Sequence, residues 1–128
     1  SAASDVYKRQ PRQRRLPTMI SPTLVMGEKG VEMVLGSGGS NRLRSAISQV
    51  ILNFFVKNMD LEPAVHAARI HLEGSVLHFE PEMVLESLPD HIQLHSWNEI
   101  NLFFGGVNAV TPTSAVGDPR RGGTGIIC

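Results

Sequence analysis

The strongest constraint on how this chain folds is a stripe of apolar residues between positions 43 and 55. Hydrophobic side chains recur there at spacings of three and four residues: Leu43, Ala46, Ile47, Val50, Ile51, Phe54 and Phe55. Because an α-helix has 3.6 residues per turn, this spacing places all of them on one face. It predicts an amphipathic helix over residues 41–58, capped at its start by Ser40 or Asn41 and ended at Asn58.

Short apolar runs separated by turn residues lie on both sides of this helix. Residues 24–26 and 31–35 flank a Gly-Glu-Lys-Gly turn, which predicts a β-hairpin, and Val34 interrupts the alternation so that the second strand would be buried on both faces. Further along, we predict a short helix from Asp60 to near Arg69, strands at 76–79 and 91–95, a helical turn within 81–88 and a closing hairpin over 102–110. Strands interleaved with helices indicate an α+β or layered α/β fold.

A glycine-rich segment, Gly36-Ser37-Gly38-Gly39-Ser40-Asn41, connects the predicted hairpin to the long helix. Backbone N–H groups in such a turn can converge on an anion or on a developing oxyanion, although a tight turn without a ligand explains the glycines equally well. No Lys-Ser/Thr pair follows them as in a Walker loop, and the third glycine of a dinucleotide fingerprint is absent. We therefore expect no nucleotide cofactor.

The residues that usually bind metals do not form a recognisable pattern. The chain has five histidines, His66, His71, His78, His91 and His95. No pair has the i, i+4 spacing on a predicted helix, and His91 and His95 would lie ~13 Å apart on a strand, so we expect no metal site. The only cysteine is Cys128, which excludes an intrachain disulfide.

The N-terminal residues differ in charge from the rest of the chain. Residues 1–15 carry Lys8 and four arginines against Asp5 alone, although the formal net charge of the whole chain is zero. A basic run can bind nucleic acid, but Tyr7 is the only aromatic residue there to stack on a base. We interpret residues 1–14 as a disordered basic tail, whose first ten residues also resemble translated adaptor sequence, and residues 15–128 as the folded unit. No run approaches the ~18 apolar residues that span a bilayer.

Four motifs, in this order, resemble the small subunit of γ-glutamyltransferases: Ser21-Pro22-Thr23, Gly36-Ser37-Gly38-Gly39-Ser40-Asn41-Arg42, Glu62-Pro63-Ala64-Val65-His66-Ala67-Ala68-Arg69-Ile70-His71, and Gly117-Asp118-Pro119-Arg120-Arg121-Gly122-Gly123. The resemblance runs from residue 15 to the C-terminus and corresponds to the C-terminal part of that subunit. It implies an α+β fold, as a fragment of an N-terminal-nucleophile hydrolase αββα sandwich. Such enzymes cleave γ-glutamyl amides such as glutathione through a Thr acyl-enzyme, and pass the acyl group to water or an amino acid without a cofactor.

The resemblance also implies roles for particular residues. Members of the family commonly hold the glutamyl α-carboxylate with a Ser-Ser pair just before Ser-Pro-Thr, and Thr18 and Met19 stand at those positions. Thr18 keeps a hydroxyl, whereas Met19 cannot donate a hydrogen bond. The paired glycines that supply oxyanion-hole N–H groups correspond to Gly39 and Ser40, and a backbone donor survives the change from Gly to Ser. We therefore expect substrate binding at Thr18, Met19, Gly39 and Ser40, with Gly39 and Ser40 as the oxyanion hole.

The nucleophile that the resemblance implies belongs several dozen residues before Ser-Pro-Thr. The chain's threonines are Thr18, Thr23, Thr111, Thr113 and Thr124, and none is N-terminal. We therefore expect the isolated chain to be inactive and its partner to be the large subunit of the same precursor, in a periplasmic or secreted enzyme. Because Met19 lacks a hydroxyl, the activity of a cephalosporin-acylase-like amidase remains an alternative. The non-enzymatic alternative is a non-catalytic γ-glutamyltransferase-like domain.

Overall fold

The computed structural model describes residue 15 and residues 18–128, so the basic tail predicted for residues 1–14 lies outside the described residues. The strands are β1 (Thr23–Gly27), β2 (Gly30–Gly38), β3 (Ile70–Glu73), β4 (Val76–Phe79), β5 (Gln93–Ser96), β6 (Gly106–Val110) and β7 (Ala115–Val116). They form a four-stranded sheet of order β1-β2-β6-β7 and a three-stranded sheet of order β3-β4-β5. The helices are α1 (Leu43–Ile51) and α2 (Leu61–His66).

The predicted hairpin is confirmed as β1 and β2, which pair antiparallel with a bulge after Val25. Met33 and Leu35 are buried against the helices, but Val34 is 42% exposed. The expectation that the second strand is buried on both faces was therefore wrong. Helix α1 covers only the face that carries Met33 and Leu35, so the intervening side chains point away from the core.

The amphipathic helix is confirmed, with Leu43, Ala46, Ile47 and Val50 buried along its length. It continues from α1 into a π-helical turn at Leu52–Val56. Asn58 then adopts a left-handed conformation with φ of 54°, as expected for the residue that ends a helix.

Capping by Ser40 or Asn41 was wrong, because Arg42 occupies the N-cap position and no side-chain hydrogen bond caps the helix start. The Ser40 hydroxyl instead points towards the sulfur of Met19.

The core lies between the four-stranded sheet and the two helices. Sheet residues Met33, Leu35, Val107 and Ala109 pack against Ala46, Ile47, Val50, Leu61 and Val65. Asn53 joins the two helices, since its Nδ2 donates to the carbonyl oxygen of Ala64 at 3.1 Å. Helix α2 ends at His66, short of the predicted Arg69, because Ala67 is already extended with ψ of 146°.

The second sheet departs most from the sequence predictions. Residues 70–73 form β3, where a helix end was predicted, and pair antiparallel with β4. The strand predicted over 91–95 is displaced to β5, which pairs parallel with β4. The helical turn predicted within 81–88 was wrong, because Glu82 has φ of 69°, a conformation that a right-handed helix does not contain.

The closing hairpin was also only partly right. Residues Leu102–Phe104 form a 3₁₀ turn rather than a strand, while β6 pairs with both β2 and β7. Within the described part of the chain, no helix has the length and apolar character needed to cross a membrane.

Candidate functional site

The segment before β1 and the glycine-rich loop, which sequence analysis assigned to one substrate site, lie against each other. Ser40 Oγ donates to Met19 Sδ at 3.2 Å, across 21 residues of sequence. Together with Thr18, Asn41 and Arg44, these residues line an open cavity of about 340 Å³. The fold thus brings together Thr18, Met19 and Ser40.

Two of these side chains already have local contacts. Thr18 Oγ1 accepts a hydrogen bond from the N–H of Ile20 at 3.2 Å, which does not use the hydroxyl proton. That proton can still be donated to a carboxylate. Met19 is 53% exposed, so its thioether faces both the cavity and Ser40.

Gly39 lies at the turn between β2 and α1, with φ of 126°. L-residues rarely adopt this conformation, so the turn requires glycine here. The carbonyl oxygen of Ser40 accepts from the N–H of Leu43 at 3.2 Å and thereby begins the first turn of the helix. Outside the strand ladders, neither the Gly39 nor the Ser40 N–H donates to another described residue, and Ser40 lines the cavity.

Ser37 fixes the end of β2 next to this turn. Its Oγ donates to the carbonyl oxygen of Gly38 at 2.9 Å and accepts from the N–H of Gly106 at 3.1 Å. Gly105, with φ of 85°, leaves room for this contact, because a Cβ there would lie 2.8 Å from Ser37 Oγ. The conformation of the glycine-rich loop is therefore tied to β6.

A buried network of four charged residues lies on the other side of β6. Its members are Arg69, Glu80, Asp118 and Arg120, and their side chains are at most 1% exposed. Arg69 pairs with Asp118 at 2.7 Å, and Arg120 pairs with Asp118 at 3.2 Å. Arg120 Nε also donates to Glu80 Oε1 at 2.6 Å. Buried charges of this kind are stable only when each has partners, as here.

Backbone groups complete the network. Asp118 accepts from the N–H groups of Val107 at 2.7 Å and Arg120 at 2.9 Å. Burial alone raises the pKa of Asp118, but the charge of Arg69 and these N–H donors together hold that pKa below its usual value. The carboxylate therefore stays ionised and joins β6 to the 3₁₀ turn Pro119–Arg121.

Three histidines stand in register across the second sheet, His71 opposite His78 and His78 opposite His95. The rings of His78 and His95 are 5.0 Å apart between centroids. His71 Nδ1 lies 2.8 Å from Ser45 Oγ, and His78 Nδ1 accepts from Trp97 Nε1 at 3.3 Å. Among the described residues, no group of three or more His, Cys, Asp or Glu side chains is arranged to hold a metal ion.

The buried network was not predicted from the sequence. Asp118 and Arg120 pair within the C-terminal turn, and neither this contact nor the pairing with Arg69 and Glu80 was among the predictions from the sequence. One signal was available, because Glu80 directly follows the strand Val76–Phe79 at a position where an unpaired charge would be costly. Its partner could not be named from the sequence.

The sequence of this chain is similar to those of known proteins. The family model described as Gamma-glutamyltranspeptidase matches residues 1–128. The chain is 37% identical over 68 residues to the glutathione hydrolase proenzyme of Pseudomonas aeruginosa, which covers 53% of the chain and 12% of that relative. It is 33% identical over 78 residues to the acylase ACY 1 proenzyme of Pseudomonas sp. strain SE83, covering 59% of the chain and 14% of that relative.

The fold is also similar to that of solved structures. The structure of gamma-glutamyltranspeptidase from Pseudomonas nitroreducens complexed with L-DON superposes with a TM-score of 0.70 at 24% identity, over 93% of this chain and 67% of that one. The fold class expected from the sequence, α+β as a fragment of an N-terminal-nucleophile hydrolase sandwich, is thereby confirmed. The chain spans well under a fifth of the length of the two curated relatives, 12% and 14%. Because the family model matches residues 1–128 of this chain, the chain belongs to the gamma-glutamyltranspeptidase family.

Proposed function

We propose that this chain is part of a γ-glutamyltransferase or hydrolase that cleaves γ-glutamyl amides such as glutathione through a Thr acyl-enzyme and passes the acyl group to water or an amino acid. The observation that carries the proposal is the approach of Met19 and Ser40 across one cavity, with Gly39 in a glycine-only conformation beside them. Acyl transfer to a nucleophile requires a segment that holds the acyl donor in place and a pair of N–H donors that stabilise the oxyanion.

In this proposal, the Thr18 hydroxyl binds the carboxylate of the acyl donor. The N–H groups of Gly39 and Ser40 receive the carbonyl oxygen as it becomes an oxyanion, at a helix start that adds a partial positive charge. The nucleophilic Thr is supplied from outside residues 18–128, so the isolated chain is inactive.

The partner that we propose is the large subunit of the same precursor. The face of the four-stranded sheet that points away from the helices supports this, because Leu24, Val34 and Val110 stand in register on it and are 59%, 42% and 53% exposed. A contiguous row of exposed apolar side chains on a sheet is typical of a surface that another part of a protein covers.

A cephalosporin-acylase-like amidase is the second candidate, and Met19 is the observation that favours it. A thioether donates no hydrogen bond, and losing one charge-assisted bond to a carboxylate costs roughly 1.5–3 kcal/mol of binding. The similarity to the acylase ACY 1 proenzyme agrees with this alternative.

The test is to express the complete reading frame that contains this chain, purify the mature enzyme, and assay L-γ-glutamyl-p-nitroanilide and glutaryl-p-nitroanilide side by side. Faster cleavage of the γ-glutamyl compound supports the first candidate, and faster cleavage of the glutaryl compound supports the second. Hydrolysis by the purified 128-residue chain alone would contradict the external nucleophile. A reading frame with no Thr at a processing junction, and with no activity, would point to a non-catalytic domain.

A further inference from the structure

Two adjacent arginines leave the 3₁₀ turn Pro119–Arg121 in opposite directions. Arg120 enters the buried network, where it is 7% exposed as a whole residue. Arg121 is exposed and lies over the other side of the sheet, against the glycine pair Gly38 and Gly106 that joins the ends of β2 and β6. Because Asp118 caps this turn and Arg120 anchors it in the core, the direction of Arg121 is set by buried contacts.

The seat of Arg121 depends on the absence of side chains beneath it. A Cβ added at Gly38 would lie 3.1 Å from Arg121 Nε, and one added at Gly106 would clash with Arg121 Cδ. Neither glycine has a positive φ, so the backbone conformation does not explain why both positions lack a side chain. The arginine's own packing does explain it.

The guanidinium ends beside the turn that we assign to the oxyanion hole. Its Nη2 lies 3.8 Å from where a Cβ of Gly39 would stand. The guanidinium of Arg121 therefore lies next to Gly39 on the side where a Cβ would be, not in front of its N–H group. Among the described residues, no carboxylate lies within ion-pair distance of Arg121, whereas Arg69 pairs with Asp118 and Arg120 pairs with both Asp118 and Glu80.

We propose that Arg121 is a specificity-determining residue that binds a carboxylate of the substrate next to the Gly39–Ser40 turn. This inference rests on the proposed function. A planar guanidinium offers two parallel N–H donors to a carboxylate, and an arginine whose position is set by packing loses little freedom on binding. Arg121 supplies the anion recognition that Met19 cannot supply as a hydrogen-bond donor.

The test compares two acyl donors of equal chain length in the mature enzyme, glutaryl-p-nitroanilide with a carboxylate and pentanoyl-p-nitroanilide without one. Arg121→Gln is expected to raise KM for the glutaryl donor about ten- to a hundredfold, the loss of a charge-assisted pair, and to leave the pentanoyl donor unchanged. Arg121→Lys keeps the charge without the bidentate geometry and is expected to recover part of the affinity.

Two further variants separate position from charge. Gly106→Ala keeps the arginine but displaces its side chain, so it is expected to reproduce the selective rise in KM; its thermal midpoint shows whether the protein still folds. Lys29→Gln removes one exposed positive charge from the turn between β1 and β2, at the opposite end of β2 from Gly38, and is expected to change neither donor.

Equal losses of kcat for both donors would overturn the proposal, because Arg121 would then act on the oxyanion and not on a carboxylate. Unchanged kinetics in Arg121→Gln would also overturn it.

The effect of glutarate on thermal unfolding distinguishes a failure of this proposal from a failure of the proposed function. If the wild type cleaves neither donor but glutarate stabilises it and not Arg121→Gln, the anion site stands and the activity fails. If glutarate protects neither protein and neither donor is cleaved, both fail.

Discussion

Glu80 and Arg120 lie 40 residues apart in the sequence and form a bidentate pair in the core, with Arg120 Nε donating to Glu80 Oε1 at 2.6 Å. Both side chains are fully buried. Glu80 Oε2 also accepts from the N–H of Arg69 at 2.9 Å, so one carboxylate joins the start of β3 to the C-terminal turn. The pair therefore connects the second sheet to the turn that carries Arg121.

Glu80→Gln is expected to lower the free energy of unfolding by about 3–5 kcal/mol, because it leaves the Arg120 guanidinium buried without its full counter-charge. Urea denaturation measures this loss. Glu73→Gln is the matched control, since Glu73 pairs with Arg42 at 3.1 Å where both side chains are partly exposed, 47% and 30%. That exposed pair contributes about 1 kcal/mol or less. Similar losses in the two variants would contradict the role given to the buried network.

Acid is expected to weaken the fold through Asp118. Burial opposes its ionisation, but Arg69 and the N–H groups of Arg120 and Val107 hold its folded pKa below the usual value. A carboxyl with a depressed folded pKa stabilises the protein above its unfolded pKa, about 4, and this contribution is lost as the pH falls through the folded value. Urea denaturation from pH 6 to pH 3 should therefore show falling stability below about pH 4. In Asp118→Asn this acid-dependent loss should be smaller, and an unchanged pH profile would exclude Asp118 as its source.

His78 is expected to titrate below its usual pKa. Burial is the larger cause and the neighbouring His95 the next, and both lower the pKa of His78. A histidine whose folded pKa is lowered favours the folded state when it is neutral. The contribution of His78 to the free energy of unfolding is therefore fully present above its unfolded pKa, about 6.5, and is lost as the pH falls through the folded pKa. NMR titration of the ring protons measures the pKa directly. His95→Gln should raise the pKa of His78, and a pKa that stays the same in this variant would show that burial alone is responsible.

The Gly39 turn is expected to be more sensitive than the residue after it. Gly39→Ala places a side chain at φ of 126°, at a strain of about 1–3 kcal/mol, and shifts the N–H groups proposed for the oxyanion. In the mature enzyme it should lower kcat by about tenfold or more. Ser40→Ala keeps its backbone N–H and should change kcat by less than about threefold. A larger effect from Ser40→Ala would mean that the hydroxyl, which contacts Met19, takes part in the reaction.

Restoring a hydroxyl at position 19 is expected to strengthen binding of a γ-glutamyl donor. Met19→Ser should lower KM for L-γ-glutamyl-p-nitroanilide by about one to two decades, the worth of a charge-assisted hydrogen bond to a carboxylate. Met26→Ser, at a site on β1 that is 63% exposed, serves as the control. A KM that rises in Met19→Ser would show that the thioether itself contributes to substrate binding.

Local patterns carried the predictions that succeeded in this chain. The spacing of Leu43, Ala46, Ile47 and Val50 predicts a helix because successive turns repeat the same apolar face, and no distant residue is needed to interpret it. The Gly27–Gly30 turn between two apolar runs likewise predicts β1 and β2. The prediction of a helical turn failed in residues 81–88. Met83, Val84, Leu85 and Leu88 are apolar there, but none of them is buried in the fold. Glu82 takes a left-handed conformation instead.

By itself, the sequence determined the family, the main helix, the first hairpin and the four candidate positions Thr18, Met19, Gly39 and Ser40. Only the tertiary structure brought Met19 against Ser40, paired Glu80 with Arg120, and seated Arg121 over Gly38 and Gly106. The physical reason is that helix periodicity and turn chemistry act between residues a few positions apart. Charge pairing and close packing act between whichever surfaces the completed fold brings together, and no spacing in the sequence encodes them.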